Sequence, residues 1–400
     1  MTILGIETSC DETALALIET RPAGHELEVR VGASLVHSQA DLHSAYGGVF
    51  PTLAKREHGR NLIPLLHRLL VKAALAEAPD RFVDDERYAS AMSRFNSEFA
   101  PQNPDLCDSF SGAAFLKRIP PIDMIAVTEG PGLEPALWVG ITAARMLGEL
   151  WQMPVVPVNH MEGHIVGSLL DETVPTGAWQ TLKKPALPAI ALLVSGGHTE
   201  LVKVSEHGYA VIGETLDDAA GEAYDKVARL LGLPYPGGPH ISMLAKQAED
   251  AGIRSSVKLP RPMKSSGDLN FSFAGLKTAV LYAVRTASSD GSLAEDWKRG
   301  LAREFEDAVA ETLTAKVRAA IELAGARTLI AGGGVMANTR LRHECLDIGA
   351  EYGIPVLLPS QRLSGDNALM IALAAGLDHS RHIQVQRTLK ADGTKRLGPF

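Results

Sequence analysis

Cysteines are scarce and long apolar runs are absent in this sequence of 400 residues. Three cysteines, Cys10, Cys107 and Cys345, do not form a disulfide framework in so long a chain. The apolar runs near Leu192 and Ile330 are too short to span a bilayer. The N-terminus also has no basic region followed by a cleavage site. These absences exclude a disulfide-rich secreted scaffold and predict a cytoplasmic protein without a membrane partner.

An excess of basic residues is absent as well. The chain has 39 Lys and Arg against 47 Asp and Glu, which gives a net charge of −8 and a pI near 5.9. That balance argues against nucleic-acid binding driven by a basic surface, although a local patch or a partner could still contact RNA. Solvated surface is the commoner explanation of a basic cluster. The two local candidates are Arg254, Lys258, Arg261 and Lys264 in a loop, and Arg387, Lys390, Lys395 and Arg396 in the tail.

Alternating strand and helix patterns run through most of the chain and predict an α/β protein with helices packed on sheets. At this length we expect two or three domains. Residues 79–120 break the pattern and are interpreted as an insertion, helical at most in part. The predicted strands are 28–36, 122–128, 155–158, 328–331 and 355–358, and the predicted helices are 52–76, 137–153, 217–231, 297–324 and 366–377.

Two stretches of the chain have the same pattern. Residues 3–15 form an apolar run, a short polar turn and a second apolar run, and residues 189–201 repeat that shape with Ser195 in the place of Ser9. Each pattern predicts a β-hairpin whose tip carries small, hydroxyl and acidic residues. Small tip residues bring backbone N–H groups close to a phosphate. The repeat suggests two related lobes facing one nucleotide, with two ordinary hairpins as the alternative.

A metal-ligand pattern follows the strand 155–158. His160 and His164 are four residues apart on a helix that begins at Asn159, so both imidazoles project from one face. This spacing suits a transition metal or zinc, although with 13 histidines in the chain a chance pair is a serious alternative. Glu162 is misplaced for the general base of a metalloprotease, which directly follows the first histidine. The third ligand we would choose is Asp366, with helix capping as the alternative.

Glycine clusters and an acidic helix complete the candidates. Residues 332–334 follow a strand and precede Asn338, so bare backbone there could accept a nucleoside, with a simple turn as the alternative. Glu222 and Asp225 are three residues apart on the helix 217–231 and could hold ribose hydroxyls or a ligand amine. The alternative is a charged face turned to solvent.

Taken together, these segments resemble the universal tRNA N6-adenosine threonylcarbamoyltransferase family of bacterial type, formerly described as O-sialoglycoprotein endopeptidase. The resemblance implies a two-lobed α/β fold of the actin/Hsp70/sugar-kinase type, with a duplicated βββαβα core and a ligand cleft between the lobes. The N-terminal lobe would be 1–158, with the insertion at 79–120 and a C-terminal helix 366–400 packed back on it. The C-terminal lobe would be 159–365. The matching motifs are 7–13, 43–51, 56–58, 159–164, 194–201, 213–239, 271–277, 333–338 and 366–367.

The resemblance also implies the roles of individual residues. His160, His164 and Asp366 match the metal ligands, which usually hold iron and sometimes zinc. Asp11 and Glu12 match the acidic pair at which the chemistry is thought to occur. The positions that match the binding site for threonylcarbamoyl-adenylate are Leu193, Val194, Ser195, Gly196, Gly197, Asp225, Gly238 and Asn338.

The implied reaction transfers the threonylcarbamoyl group from threonylcarbamoyl-AMP to N6 of adenosine 37 in tRNAs that read codons beginning with adenine, releasing AMP. The implied partners are tRNA, a paralogous actin-like subunit and a small ATPase. Ser242 stands where many relatives carry Asp, which leaves one contact to the adenylate open. The alternatives are a metal-dependent glycoprotease and a nucleotide-gated assembly subunit of the actin/chaperone type.

Overall fold

The computed structural model describes residues 1–24, 26–76, 81–171, 173–287, 293–377 and 389–399. The strands are β1 (Thr2–Glu7), β2 (Glu12–Ala23), β3 (Glu26–Ser38), β4 (Met124–Gly130), β5 (Val155–Asn159), β6 (Trp179–Thr181), β7 (Ala189–Val194), β8 (Thr199–Ser205), β9 (Gly208–Glu214), β10 (Thr328–Gly332) and β11 (Val356–Leu357). The helices are α1 (Ala40–Ser44), α2 (Pro51–Lys72), α3 (Asp85–Phe99), α4 (Pro104–Ser111), α5 (Glu134–Trp151), α6 (His160–Gly167), α7 (Ala220–Leu230), α8 (Gly237–Asp250), α9 (Ala274–Ala287), α10 (Glu295–Ala324), α11 (Thr339–Tyr352) and α12 (Ala368–Leu377).

Two sheets with the same internal order form the core of the fold. The first has the order β5-β4-β1-β2-β3-β6 and the second the order β11-β10-β7-β8-β9. In both, the first strand pairs in parallel with the second, and the second pairs in parallel with the first strand of the hairpin. The two hairpin strands and the strand that follows them pair antiparallel. The repeated order confirms the predicted α/β fold with a duplicated core.

The two hairpins also share their pairing register. Glu7 pairs with Ala14 in the first hairpin, and Leu193 pairs with Glu200 in the second. These four positions correspond under the same shift that places Ser195 on Ser9. Since register is set jointly by the hydrophobic pattern and the turn, equal patterns and equal turn lengths produce equal hairpins. Both predicted hairpins are therefore confirmed.

The structure divides into two compact units. Unit 1 comprises residues 1–39, 49–184 and 366–396, and unit 2 comprises residues 40–48, 185–365 and 397–400. This division assigns residues 159–184 to unit 1, whereas the predicted boundary lay after residue 158. The reason is local, because α6 continues directly from β5 and packs against α12 within unit 1.

Helix α12 is apolar around its whole circumference and is buried on every side. It packs on β1, β2 and α6 within unit 1. Gly5 permits this contact, since a Cβ atom there would lie 2.3 Å from the carbonyl oxygen of Ala368. The helix ends at Leu377, residues 378–388 lie outside the described residues, and 389–399 contain no helix. The described part of residues 366–400 therefore forms the helix Ala368–Leu377 and not the predicted helix from 366 to 400.

The insertion is more regular than its weak periodicity indicated. It contains α3 and α4, which pack against α5 and α2. Buried side chains of both helices join the hydrophobic core of unit 1. The indole nitrogen of Trp151 donates a 3.1 Å hydrogen bond to the carbonyl oxygen of Leu116, at the end of the insertion. No helix in the described ranges is both long and apolar enough to cross a membrane.

Candidate metal centre and substrate site

Helix α6 begins where the sequence predicts it. The side chain of Asn159 accepts hydrogen bonds from the backbone N–H groups of Met161, at 2.9 Å, and Glu162, at 3.3 Å, which is the contact of an N-cap. Gly163 and Gly167 allow α12 to pack closely, because Cβ atoms there would lie 3.0 and 3.2 Å from Met370. This close packing places the start of α12 beside the two histidines of α6.

His160, His164 and Asp366 come together in unit 1. Their candidate ligand atoms all lie within 4.8 Å of one another. Oδ1 of Asp366 lies 3.4 Å from Nε2 of His160 and 3.2 Å from Nε2 of His164. The capping alternative for Asp366 fails, because the side chain of Asn367 accepts the hydrogen bond from Met370 N at 3.0 Å. The structure therefore brings together the three residues that the sequence analysis predicts as metal ligands.

The chemistry of this cluster fits a divalent transition metal. Two imidazole nitrogens and one carboxylate oxygen are a donor set that iron and zinc accept, and three protein ligands leave coordination positions open. Nε2 of His164 is buried, and among the described residues its 3.2 Å approach to Oδ1 of Asp366 lacks the geometry of a hydrogen bond. An unsatisfied buried nitrogen is costly, so a metal would resolve the one unmet contact of the cluster.

Glu7 is a site residue that sequence reasoning missed. It is fully buried at the end of β1, and its Oε2 lies 3.0 Å from Nδ1 of His160. The same oxygen accepts a 2.6 Å hydrogen bond from Thr128, and Oε1 accepts one from the backbone N–H of Ser9 at 2.5 Å. A carboxylate on Nδ1 orients the imidazole so that Nε2 faces the metal position. Two sequence features include Glu7, its place in the motif 7–13 and an acid that ends an apolar strand, but neither connects it to His160.

The protonation states of the cluster follow from its burial and its charges. Burial opposes ionisation of Glu7, yet the attraction and hydrogen bond of His160 lower its pKa below the usual value. Burial likewise opposes protonation of His160, but Asp366 and Glu7 raise its pKa well above normal. For His164 the effect of burial exceeds the attraction of Asp366 and Glu7, so its pKa is lowered. Before a metal binds, the cluster therefore holds its proton on His160 and leaves His164 neutral, ready to donate a lone pair.

Replacing Glu7 with glutamine should weaken metal binding. Glutamine has one acceptor oxygen in place of two, so it cannot accept the hydrogen bonds of Ser9, Thr128 and His160 together, and an NH2 group takes one of the two oxygen positions. We expect the affinity for Zn²⁺ or anaerobic Fe²⁺ to fall about 10–100-fold, measured by competition with a chelator. Thr128→Val, which keeps the carboxylate, should change the affinity much less. Equal affinities in wild type and E7Q would restrict Glu7 to a structural role.

The acid pair of the first hairpin lies at the start of β2. Asp11 is buried and Glu12 is half-buried. Burial raises the pKa of Glu12 well above its usual value, and the negative charges of Asp11 and Asp366 raise it further. The pKa of the Cys10 thiol is raised for the same reasons, which makes it a poor nucleophile. The influence of Asp366 places the acid pair within electrostatic reach of the metal cluster.

The tip of the second hairpin, in unit 2, exposes its backbone. Gly196 and Gly197 are exposed, and a Cβ atom on either would meet nothing within 4 Å. The backbone N–H of Gly221 donates to the carbonyl oxygen of Ser195 at 3.2 Å. A Cβ atom at Gly221 would lie 2.5 Å from that oxygen, so the approach requires glycine. The tip is therefore held from one side while its glycine backbone remains open to a ligand.

Asp225 and Asn338 have clear partners in unit 2. Asp225 accepts a 2.7 Å hydrogen bond from the backbone N–H of Gly237, next to Gly238. The side chain of Asn338 caps α11 through Leu341 N at 2.9 Å. These contacts bring two loops with predicted site residues into fixed positions.

Glu306 is a second residue that sequence reasoning missed. Nδ2 of Asn338 donates to Oε1 of Glu306 at 2.5 Å and to Oγ of Ser242 at 2.8 Å. Burial raises the pKa of Glu306, against the hydrogen bonds from Asn338 and Ser242 that lower it. A carboxylate from α10 thus lies beside Ser242.

Several candidates have ordinary structural roles. Glu222 pairs with Lys226 at 2.9 Å on a half-exposed face, which favours the charged-face alternative. Asp217 accepts from the backbone N–H of Phe273 at 2.7 Å, so the helix predicted from 217 begins only at Ala220. In the basic loop Arg261 and Lys264 pair with acids of α10 and lower the pKa of one of them, Glu311, to about 2.

In the second basic cluster, Lys395 pairs with Glu129, and Arg387 lies outside the described residues. Ion pairing with neighbouring acids reduces the positive potential that both clusters can offer to RNA.

The glycines after β10 offer a matched test of backbone access. Gly333 has φ +94°, and a Cβ atom there would lie 2.4 Å from the carbonyl oxygen of Val194, whereas one at Gly334 would meet nothing within 4 Å. We expect Gly333→Ala to lower the free energy of unfolding by roughly 1–3 kcal/mol and to weaken adenylate binding at the adjacent tip. Gly334→Ala is the control for stability and should leave the free energy of unfolding unchanged. Chemical denaturation and calorimetric titration measure the two effects, and equal behaviour of both variants would contradict this role.

Comparisons with known proteins agree with the implied family. Residues 30–82 and 116–373 match the TsaD family, described as tRNA N6-adenosine threonylcarbamoyltransferase. The chain is 42% identical over 385 residues to a protein of that name from Burkholderia mallei, which covers 95% of this chain and 93% of the relative. A protein of the same name from Methylobacillus flagellatus is 42% identical over 378 residues, covering 94% and 92%. The unmatched residues 83–115 contain α3 and α4.

Proposed function

Because the chain belongs to the tRNA N6-adenosine threonylcarbamoyltransferase family, we propose that it transfers the threonylcarbamoyl group from threonylcarbamoyl-AMP to N6 of adenosine 37 in tRNAs that read codons beginning with adenine. AMP is the second product. The observation that carries this proposal is the buried cluster of His160, His164 and Asp366 in unit 1, the unit that also contains the acid pair Asp11 and Glu12 at the tip of the first hairpin.

The reaction forms one bond and breaks one at the carbamoyl carbon, and it moves one proton from N6 to a carboxylate. The N6 amine attacks the carbamoyl carbon, a C–N bond forms, and the C–O bond of the mixed anhydride breaks as AMP leaves with its electron pair. The amine is a weak nucleophile because its lone pair is conjugated with the adenine ring. Catalysis therefore depends on positioning the two reactants and on removing the N6 proton. We assign the proton to the carboxylate of Glu12, with Asp11 beside it.

The metal is proposed to be one divalent ion, Fe²⁺, with Zn²⁺ as the alternative. His160, His164 and Asp366 would hold it, and a bound ion of this kind supplies a Lewis acid that polarises a carbonyl or phosphate oxygen. Glu7 holds the ring of His160 in the orientation this requires. The ring of His164 needs no proton transfer before binding, since its lowered pKa keeps it neutral.

The adenylate is proposed to bind in unit 2. The backbone of residues 193–197 would contact the phosphate, since exposed glycine N–H groups at a hairpin tip suit an anion. Asp225, Gly238 and Asn338 would contact the rest of the nucleotide. Glu306 supplies a carboxylate next to Ser242 and takes the place of the acid found there in many relatives.

The net negative charge of the chain does not favour binding of the anionic tRNA. At a net charge of −8, and with basic side chains in both candidate clusters paired to acids, general attraction to tRNA is weak. We therefore propose that it works in the cytoplasm with a paralogous actin-like subunit and a small ATPase, which complete the tRNA surface. A glycoprotease is less well supported, because buried Met161 occupies the position of the general base.

The test is transfer itself. Purified protein with its metal, both partner subunits, threonylcarbamoyl-AMP and an unmodified tRNA transcript should yield threonylcarbamoyladenosine and an equal amount of AMP. A transcript with guanosine in place of adenosine 37 is the control and should yield no modified nucleoside. Mass spectrometry of the digested tRNA measures the product. Peptide-bond cleavage of a glycoprotein without tRNA modification would refute the proposal in favour of the glycoprotease.

A further inference from the structure

His58 is a buried histidine of α2 that has no role in the proposed reaction as described above. Its side chain has no exposed surface. Nε2 lies 3.0 Å from the carbonyl oxygen of Cys10, and Nδ1 lies 2.8 Å from Oγ1 of Thr13. Cys10 directly precedes the acid pair of the first hairpin and Thr13 directly follows it. One imidazole therefore contacts the hairpin on both sides of the two acids.

The chemistry of these contacts determines the form of the ring. A carbonyl oxygen only accepts, so Nε2 of His58 must carry a proton to bond Cys10. In the neutral ring Nδ1 is then an acceptor, and the Thr13 hydroxyl donates to it. Nε2 of Gln39 lies 3.3 Å from the same Nδ1 and donates as well. A neutral ring with one defined tautomer satisfies all three contacts.

The backbone of the tip is held at a further point. The backbone N–H of Gln39 donates a 3.0 Å hydrogen bond to the carbonyl oxygen of Asp11. Together with the bond from His58 to Cys10, two successive tip carbonyls are bound from outside the hairpin. Both bonds come from elements of unit 1, α2 and the end of β3. The backbone at the acid pair is thus held by residues distant in sequence.

The second hairpin has the same register but a different anchor. Thr199, the counterpart of Thr13, accepts a 2.9 Å hydrogen bond from the backbone N–H of Ala220 at the start of α7. Among the described residues Thr199 has no imidazole partner, and Gly197 and His198 take the places of Asp11 and Glu12. The histidine contact thus accompanies the hairpin that bears the acids.

We propose that His58 is a positioning residue for the acid pair Asp11 and Glu12, holding the tip so that the carboxylate of Glu12 meets the N6 proton. This inference rests on the proposed function. A histidine that only stabilised the core would make the same contacts, so the two roles differ in a single respect. A positioning residue loses its effect on the rate once Glu12 can no longer act as a base.

The experiment is a double-mutant cycle of His58→Gln and Glu12→Gln, measured in single-turnover transfer with both partner subunits. We expect H58Q to lower kcat about 10–100-fold, with KM for tRNA and bound metal unchanged. Added to E12Q, it should cause no further loss. His67→Gln, on an exposed face of the same helix, is the control and should keep the wild-type rate. Thr13→Val, a change of similar volume, should lower kcat in the same direction if H58Q folds poorly.

The outcomes are separable from those of the proposed function. Losses that multiply in the H58Q/E12Q protein, while wild type transfers normally, would overturn the positioning role alone. Unchanged kcat in both H58Q and T13V would overturn it too. Absence of transfer by wild type would remove the proposed function and this inference with it. Coupled losses in a wild-type background that transfers would support both.

Discussion

Replacing His160 or His164 with alanine should abolish metal retention and reduce transfer below about 1% of the wild-type rate. Loss of an orienting residue outside the ligands typically costs 10–100-fold in metal affinity, so loss of a ligand should cost more. Three protein ligands are the minimum of such a site, and the structure offers no fourth candidate among the described residues in this cluster. Metal analysis of anaerobically purified protein and the tRNA assay measure the two effects.

The two substitutions should differ in their effect on the metal-free fold. His160→Ala leaves the carboxylate of Glu7 buried without its charged partner, a change that typically costs roughly 3–5 kcal/mol. The lowered pKa of His164 keeps its ring neutral, and its 3.2 Å contact with Asp366 lacks hydrogen-bond geometry, so His164→Ala should cost clearly less. Denaturant unfolding in the presence of a chelator separates the two.

The exposed His207 provides the control for both histidine variants. His207→Ala should retain metal, stability and transfer. Two results would contradict the metal role: full transfer by H160A or H164A, or full transfer by wild type after exhaustive chelation. Equal stability of metal-free H160A and wild type would instead contradict the charged pair between His160 and Glu7.

Features encoded in short stretches were predictable from the sequence. The α6 histidines are four residues apart behind an N-cap, and the two hairpins repeat one pattern of apolar and small residues. Each depends on neighbours in sequence, so periodicity and turn chemistry suffice. Asp366 was predictable for the same reason, because this acidic residue stands at the start of an apolar helix.

Features that depend on distant contacts were not predictable. Glu7 becomes a partner of His160 only because β1 pairs with β4 and β4 with β5, which joins positions 153 residues apart. Glu306 meets Asn338 through packing of α10 against α8 and α11. The start of α7 was placed three residues early, because Asp217 caps α9 from outside the helix. Such contacts have no local pattern, so propensity alone cannot indicate them.

Replacing Glu12 with glutamine should lower kcat by roughly 10²–10⁴-fold, the usual contribution of a general base. Glutamine has nearly the same volume and remains able to hydrogen-bond, but it cannot accept the N6 proton. KM for tRNA and metal content should stay close to wild type, because Glu12 is not among the metal ligands. Glu19→Gln, on the same strand β2 and paired with Arg30 at the surface, is the control and should be fully active.

The pH dependence gives this assignment its sharpest test. Burial and the charge of Asp11 raise the pKa of Glu12, so the protonated, inactive form persists to a higher pH than for an ordinary glutamate. The wild-type rate should therefore rise as pH increases through that pKa. Removing the Asp11 charge with Asp11→Asn should lower the pKa of Glu12 and move the rise to lower pH. In E12Q the rise should disappear.

The same measurements decide between the two acids of the pair. If Asp11 were the base, D11N would lose activity at every pH and E12Q would stay active, the reverse of the pattern expected here. Active D11N with a shifted profile, beside inactive E12Q, assigns the proton to Glu12. The distinction rests on the burial of the pair, because in water two neighbouring carboxylates perturb one another far less.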